Sequence, residues 1–278
     1  MNRRAVFLDV DGTLVNERGL IPGSARRAVR EARANGHFVF LCTGRSTPAL
    51  WPDLLDVGFD GIIAAAGGYI EHAGSVIAHR TVPVGDLRRA VAYLSGNGIE
   101  YLLESNSGIY GSANSLVLLH EAFFGSVSDA AELALLQGGN AGFVKSIIVD
   151  GDHERADINK ILFLQSETTL DTIRAEFAGI FDVVPASVHA LGANSGELAL
   201  AGVNKALAIE VLISYLGIAR TDTIAFGDGF NDLEMLAYVQ TGVAMGSANQ
   251  QVLDVADDVT GSPDEDGIHA GFVKHGLI

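Results

Sequence analysis

The sequence predicts an α/β protein: a Rossmann-like, doubly wound parallel sheet core with an inserted α+β cap domain. Three observations lead there. Apolar strand runs and helix-period segments alternate over the first 80 residues, as βαβ units require. From about 84 to 187 the pattern changes to helices interleaved with short alternating strands, which suits a separate unit with a half-exposed antiparallel sheet. After Gly196-Glu197-Leu198-Ala199-Leu200 the first rhythm returns. The expected organisation is a discontinuous core, 1–83 and 188–278, around a cap at 84–187.

In chain order, a strand is expected at 5–9, where Ala5-Val6-Phe7-Leu8 is apolar throughout, as a strand buried on both faces must be. A helix at about 23–35, a strand at 37–42, a helix at about 47–56 and a strand near 61–65 continue the alternation. Residues 68–78 read as a hairpin turning at Ala73-Gly74. Pro83 restricts the backbone on both sides of itself and marks the exit from the core. In the insertion, helices are expected at roughly 85–96, 113–123, 128–137 and 168–178, with strands near 99–104, 143–149, 158–164 and 181–184. The core then resumes with a helix at 203–216, a strand at 222–226, a helix at 230–238, a strand at 241–244 and a closing helical stretch.

Composition narrows the function. A chain of 278 residues with 48% hydrophobic content can bury a substantial core. No apolar run approaches the roughly 20 residues that cross a bilayer, so no membrane association is expected. Met1-Asn2-Arg3-Arg4 leads into an apolar run that Asp9 interrupts, too short for a secretion signal. Cys42 is the only cysteine, so no internal disulfide can form, and a cytoplasmic setting is expected. The net charge of −16, from 18 basic against 34 acidic residues, argues against a nucleic-acid partner. A small anion, held by a few placed cations, backbone amides and a metal ion, is the expected ligand.

Four polar clusters sit just past a strand or at a helix start, where open α/β sheets place their ligands. Asp9-Val10-Asp11-Gly12-Thr13 puts two carboxylates two residues apart at the end of the first strand, and Gly12 lets the chain turn sharply. Such a pair can hold a divalent cation and divide covalent and proton-transfer work. A solvated Asx/Gly turn would carry the same string. Thr43-Gly44-Arg45-Ser46 brings a hydroxyl and free amides to a helix start, either as an anion site or as a plain cap. Lys205, in Gly202-Val203-Asn204-Lys205, opposes the dipole of the helix it opens, so an anion is expected to compensate it unless it is a surface lysine. Gly227-Asp228-Gly229-Phe230-Asn231-Asp232 crowds two acids and an amide into a glycine-rich turn, which is costly without a cation among them.

Taken together, the four clusters resemble the haloacid dehalogenase (HAD) superfamily. The second half is closer still to its Cof-type phosphatases, through Gly227 to Leu236, Gly242-Val243-Ala244-Met245-Gly246-Ser247-Ala248, and Ala256-Asp257-Asp258-Val259-Thr260 onward to Asp264-Glu265-Asp266-Gly267-Ile268. Three positions depart from the subfamily pattern: Ala66-Gly67-Gly68 stands where Asn-Gly-Ala is frequent, Ala206 where Gly often follows the lysine, and Ser247 where Asn is frequent. None removes a catalytic group.

The resemblance implies a Mg²⁺-dependent phosphatase of small phosphorylated metabolites such as sugar phosphates, nucleotides or cofactor phosphates. Asp9 would be the nucleophile, forming an aspartyl-phosphate, and Asp11 the general acid and base. Mg²⁺ would be held by Asp9, the Asp11 backbone carbonyl and Asp228. Thr43, Gly44, Lys205 and Asn231 would bind phosphate, Asp232 would orient Lys205 or a metal-bound water, and Arg45 would either support the site or pair with a surface acid. The cap would close over the cleft, exclude water and choose the substrate; Glu104, Asn106, Tyr110, His120, Lys145 and His189 are its candidate pocket residues, each equally an ordinary polar residue of a half-exposed sheet. A phosphosugar mutase on the same fold and a receiver-like phosphoacceptor module are the rival readings. Receiver modules have about half this length and no insertion.

Overall fold

The computed structural model describes residues 3–125, 139–149, 151–186 and 191–278. The apolar run near the start forms β1 (Ala5–Leu8), with every residue buried. β2 (Phe38–Cys42) pairs parallel with it from Ala5↔Phe38 to Leu8↔Leu41, after the crossover helix α1 (Gly23–Ala34). β3 (Gly61–Ala64) pairs parallel with β2. Phe7 and Phe40 stack at 5.5 Å between ring centroids, tying β1 to β2. The helix expected at 47–56 is two pieces, a 3₁₀ turn Thr47–Ala49 and the short α2 (Pro52–Leu55). Pro52 has no N–H and pushes the residue before it out of the helical region, so the pieces cannot fuse. β4 (Tyr69–His72) and β5 (Ser75–His79) form the expected hairpin. Its turn residues Ala73 (φ 49°) and Gly74 (φ 78°) are both left-handed, as a two-residue turn matched to strand twist requires.

The chain divides into two compact units, Met1–Gly44 with Pro52–His79 and Asn204–Ile278, and Arg45–Trp51 with Arg80–Val203. The second contains α3 (Val84–Gly96), β6 (Glu100–Ser105), β7 (Ile109–Gly111), α4 (Ser115–Phe124), α5 (Gly139–Lys145), β8 (Ile147–Val149), β9 (Ile158–Leu164), α6 (Leu170–Glu176), β10 (Phe181–Pro185) and β11 (Gly196–Leu200). Its strands lie in the order β10-β11-β9-β6-β7-β8, antiparallel except for the β7 and β8 pair.

Four expectations change here. The boundary expected at 187/188 lies at 203/204, because β11 pairs antiparallel with both β9 and β10 and so completes this sheet. The strand expected at 143–149 is the end of α5 followed by β8, a run whose apolar spacing fits either period. Three-residue β7 is an added strand, since so short a run carries no period in the sequence. The sheet is also less exposed than expected: β9 is buried throughout and β6 nearly so, which requires cover on both faces. The helix expected at 128–137 and His189 lie outside the described residues.

The first unit resumes with α7 (Lys205–Leu216), β12 (Thr223–Gly227), α8 (Leu233–Tyr238), β13 (Thr241–Met245), α9 (Gln250–Val255), β14 (Asp258–Thr260) and α10 (Gly267–Lys274). β14 interrupts the closing stretch that was expected to be helical. The sheet runs β14-β13-β12-β1-β2-β3-β4-β5, parallel from β14 to β3. β1 lies between β12 and β2, so strand order reverses beside it, and the carboxyl ends there form the crevice where such sheets bind ligands. No helix among the described residues is long and apolar enough to cross a membrane.

Candidate active site

β1 and β12 run parallel with Leu8 opposite Phe226, so the residues just beyond them emerge together. The Asp9 amide donates to the Phe226 carbonyl at 3.0 Å, which fixes Asp9 at the strand end. The chain then turns, with Leu14 and Val15 amides donating to the Val10 carbonyl at 3.1 and 2.8 Å and Gly12 at φ 83°. A side chain on Gly12 would stand 2.1 Å from Asp228 Oδ2, so the glycine both permits the turn and leaves room for that carboxylate. Thr13 Oγ1 donates to Asp228 Oδ1 at 2.6 Å, joining the first and fourth sequence clusters. The threonine's turn chemistry was legible; its partner 215 residues away was not.

Lys205 opens α7, whose cap Asn204 accepts a hydrogen bond from the Leu207 amide at 2.9 Å. Gly67, at φ 106°, packs against this start: a side chain there would meet the Asn204 carbonyl at 2.3 Å. The Lys205 ammonium lies 2.6 Å from Asp9 Oδ1 and 2.6 Å from Asp232 Oδ1. The anion expected to offset a lysine at a helix start is thus a pair of carboxylates from two other elements. Asp232 Oδ2 accepts from the Asp228 and Gly229 amides at 3.1 and 2.9 Å, so Asp232 is held by the lysine on one side and backbone on the other.

Oxygens of Asp9, Asp228 and Asp232 all lie within 4.8 Å of one another. Burial, reinforced by Asp232 and Asp228 and opposed by Lys205, raises the Asp9 carboxyl well above the usual range. Burial likewise pushes Asp228 up to about 7, despite the Thr13 hydrogen bond, with Asp232 adding to the rise. Burial disfavours the Lys205 charge, but Asp232 and Asp9 outweigh it and hold the ammonium protonated. Three carboxylates around one lysine leave an excess of negative charge, and hard oxygen donors suit a divalent cation. Asp232 is already engaged, so Asp9 and Asp228 are the acids best placed to hold one. Asp11 is half-buried and outside the carboxylate trio.

Thr43 is buried at the end of β2; its amide donates to the Ile63 carbonyl at 2.8 Å, and its carbonyl accepts from Ala66 at 3.0 Å. A side chain on Gly44 would come 3.0 Å from Asn231 Nδ2, so the second and fourth clusters also meet. Arg45 belongs to the other unit, where its guanidinium stands 5.4 Å from the Trp51 ring centroid and 6.0 Å from that of Phe143. That aromatic stacking is a placement the sequence reading did not include. Of the cap candidates, Glu104 is buried, Tyr110 lies under the Arg155 guanidinium at 4.2 Å, Asn106 accepts from Thr47, His120 packs on Phe124 and Lys145 is exposed.

The sequence profile of the haloacid dehalogenase-like hydrolases matches residues 6–271. The chain belongs to this family. A Bacillus subtilis (strain 168) relative is 32% identical over 282 residues, with 100% of both chains covered. Phosphatase YwpJ of the same organism is 28% identical over 293 residues, covering 98% of this chain and 99% of its own. Among solved structures, a Geobacillus kaustophilus protein shares 29% identity at a TM-score of 0.79, with 100% of both chains covered. A HAD subclass IIB sugar phosphatase shares 25% identity at a TM-score of 0.79, covering 99% of this chain and 100% of its own. As a family member the chain is an enzyme of the hydrolase class, with a Cof-type sequence on the fold the family uses.

Proposed function

We propose that this chain is a Mg²⁺-dependent phosphomonoesterase acting on small phosphorylated metabolites, with Asp9 as its nucleophile. The observation that carries the reading is the Asp9, Lys205 and Asp232 contact beside Asp228: a strand-end carboxylate held by a buried cation next to acids able to hold a metal. Asp9 attacks phosphorus, the ester P–O bond breaks, and the departing oxygen takes a proton from Asp11. Water then attacks the aspartyl-phosphate, Asp11 takes a proton from it, and the bond from phosphorus to Asp9 breaks to give inorganic phosphate. Thr43, Gly44, Lys205 and Asn231 bind the phosphoryl oxygens as charge redistributes over them. A cation held by Asp9, the Asp11 backbone carbonyl and Asp228 would neutralise that charge and ease the approach of one anion to another.

Relatives named as phosphatases support this reading, including Phosphatase YwpJ and 5-amino-6-(5-phospho-D-ribitylamino)uracil phosphatase YitU, the latter 23% identical over 276 residues. The test is steady-state release of phosphate from p-nitrophenyl phosphate and a panel of phosphorylated metabolites, with Mg²⁺ and with EDTA. Repeated turnover that needs the metal, lost in a folded Asp9→Asn variant, is expected. Near-normal rates in that variant would remove Asp9 from its role. A single stoichiometric phosphorylation would favour a receiver-like switch, and transfer to a second sugar a mutase.

A further inference from the structure

The turn that carries Asp11 is held by a contact that the proposed reaction does not use. Asp11 pairs with Val15 across an isolated parallel bridge, and the Gly12 amide, next to Asp11, donates to the Val15 carbonyl at 2.9 Å. That carbonyl belongs to the Val15–Asn16 peptide, whose N–H donates to the Leu20 carbonyl at 3.0 Å. A peptide unit is planar, so the two bonds fix one plane, and turning that plane at Asn16 releases the amide beside Asp11.

Asn16 is only 8% exposed. Its Oδ1 accepts from the Arg18 and Leu20 amides at 3.1 and 3.0 Å, and its carbonyl from the Gly19 amide at 2.9 Å, closing the loop 16–20. Those bonds are local and travel with the loop. Its Nδ2 reaches outside, to Asp264 Oδ1 at 2.7 Å, 248 residues further on. Asp264 sits in the 3₁₀ turn Pro263–Glu265, where the Ser262 amide and Oγ donate to Glu265 Oε2 at 3.0 and 2.9 Å and the Gly267 amide donates to the Ser262 carbonyl at 3.0 Å. Just past that turn, Asp266 accepts from Ser24 Oγ at the start of α1, so the segment 16–24 is tied to the same stretch of chain at both ends. Arg18 also reaches Asp264, at 3.4 Å, but with side chains 72% and 60% exposed that ion pair adds little. Asp9 is placed independently of the loop, by its amide bond to Phe226 in the sheet.

We propose that Asn16 and Asp264 are positioning residues for proton transfer by Asp11, and that their contact governs departure of the leaving group rather than attack by Asp9. The inference rests on the phosphatase reading, and within it on Asp11 as the acid that protonates the departing oxygen. An acid helps only when its proton lies within hydrogen-bond reach of the receiving atom, and a misplacement of about 1 Å can cost about 10²-fold. An ester whose leaving group is a weak base departs without that proton. One whose leaving group is more basic needs it, so loosening the Asp11 turn slows the second ester and spares the first.

The test measures kcat/KM at saturating Mg²⁺ for p-nitrophenyl phosphate, with a weakly basic leaving group, and phenyl phosphate, with a more basic one. The proteins are the wild type, Asn16→Ala, Asp264→Ala, Asp264→Asn, the Asn16→Ala/Asp264→Ala double variant and Asp11→Asn. Because kcat/KM covers the steps through P–O cleavage, hydrolysis of the aspartyl-phosphate does not mask the difference. Asp11→Asn sets the full gap between the esters. Asn16→Ala and Asp264→Ala are each expected to lose about tenfold more on phenyl phosphate than on p-nitrophenyl phosphate, part of the about 10²–10⁴-fold that a positioned acid supplies. The double variant should lose no more than either single one, since both remove the same contact. Asp264→Asn, which keeps an oxygen able to accept from Asn16, should hold the wild-type ratio. Asp264 is exposed and its turn keeps the Ser262 and Glu265 bonds, so Asp264→Ala reads the contact even where Asn16→Ala fails to fold. Equal losses on both esters, or an unchanged Asp264→Ala, would overturn the positioning role and leave the phosphatase reading intact. An Asp11→Asn variant with no gap between the esters would overturn the acid assignment together with this inference, and a wild type that hydrolyses neither ester would overturn the phosphatase reading itself.

Discussion

The Lys205 ammonium bridges Asp9 and Asp232 at 2.6 Å each, with its side chain and that of Asp232 wholly buried. Removing one member of such a pair leaves uncompensated buried charge, at a cost of about 3–5 kcal/mol. Lys205→Met is therefore expected to lower Tm more at pH 7.5 than at pH 5, where the stranded acids can take up protons. Loss of a charge stabiliser in the reaction typically costs about 10²–10³ in rate, so kcat should fall by that order. An activity loss without any pH-dependent change in Tm would show that the lysine does not hold the acids together.

Asp9 and Asp228 have pKa values raised in the folded protein, Asp228 to about 7, against an unfolded carboxylate near 3.9. Between these limits the folded state retains protons that the unfolded chain has released, so stability falls as pH rises. For Asp228 the contribution is complete below about pH 4 and lost by about pH 7, and Asp9 acts in the same direction. In EDTA, Tm should therefore drop across this window, and the Tm gain on adding Mg²⁺ should grow with pH as the metal replaces protons. Thermal scans at pH 5 and pH 7.5 with and without Mg²⁺ measure this. Equal gains at both pH values would argue against Asp9 and Asp228 as the groups that hold it.

Thr13 Oγ1 holds Asp228 Oδ1 at 2.6 Å, and the threonine is fully buried. Thr13→Val keeps the shape and removes the donor, leaving Asp228 free to reorient. Partners of this kind are worth about 10–100-fold in metal affinity. The Mg²⁺ concentration giving half-maximal activity should rise by that factor, with kcat recovering at saturating metal. An unchanged metal requirement would make the hydrogen bond a fold contact alone.

What was legible in the sequence is what local pattern encodes. Ala5 to Leu8 reads as a buried strand and Phe38 to Cys42 and Ile158 to Leu164 as strands, though the full burial of the last exceeds the half-exposed sheet expected there, and Asp9, Lys205 and Asp228 stand out because acids or a lysine at strand or helix ends need a reason. What stayed hidden depends on pairing. Glu197 falls in the segment 188–278 expected to belong to the core until its antiparallel partners on β9 and β10 are known. Lys160 sits inside an apolar strand whose period gives no sign of the two glutamates beside it. Arg45 reads either as a support of the site or as the partner of a surface acid, and neither reading includes the Trp51 and Phe143 rings that stand beside it. Asp232 was legible as an acid near the lysine, but its capture of two amides follows only from the closed turn.

The loop after β3 carries a cost that the sequence hinted at. Ala66 lies in the left-handed region at φ 52° and ψ 29°, and its amide holds the Thr43 carbonyl at 3.0 Å, so the conformation is tied to the anion loop. An L-residue with a β-carbon pays roughly 1–2 kcal/mol there, whereas asparagine tolerates it through local hydrogen bonds. The resemblance places asparagine at this position in many Cof-type relatives, where this chain has Ala66. Ala66→Asn is expected to raise stability by about 1 kcal/mol, a few degrees in Tm for a chain of this size. Ala66→Val, β-branched and ill-suited to positive φ, should lower it and loosen phosphate binding through Thr43. Chemical denaturation of the three proteins, read beside the inhibition constant for inorganic phosphate, checks both halves; an asparagine variant no more stable than the parent would mean that Ala66 carries no strain.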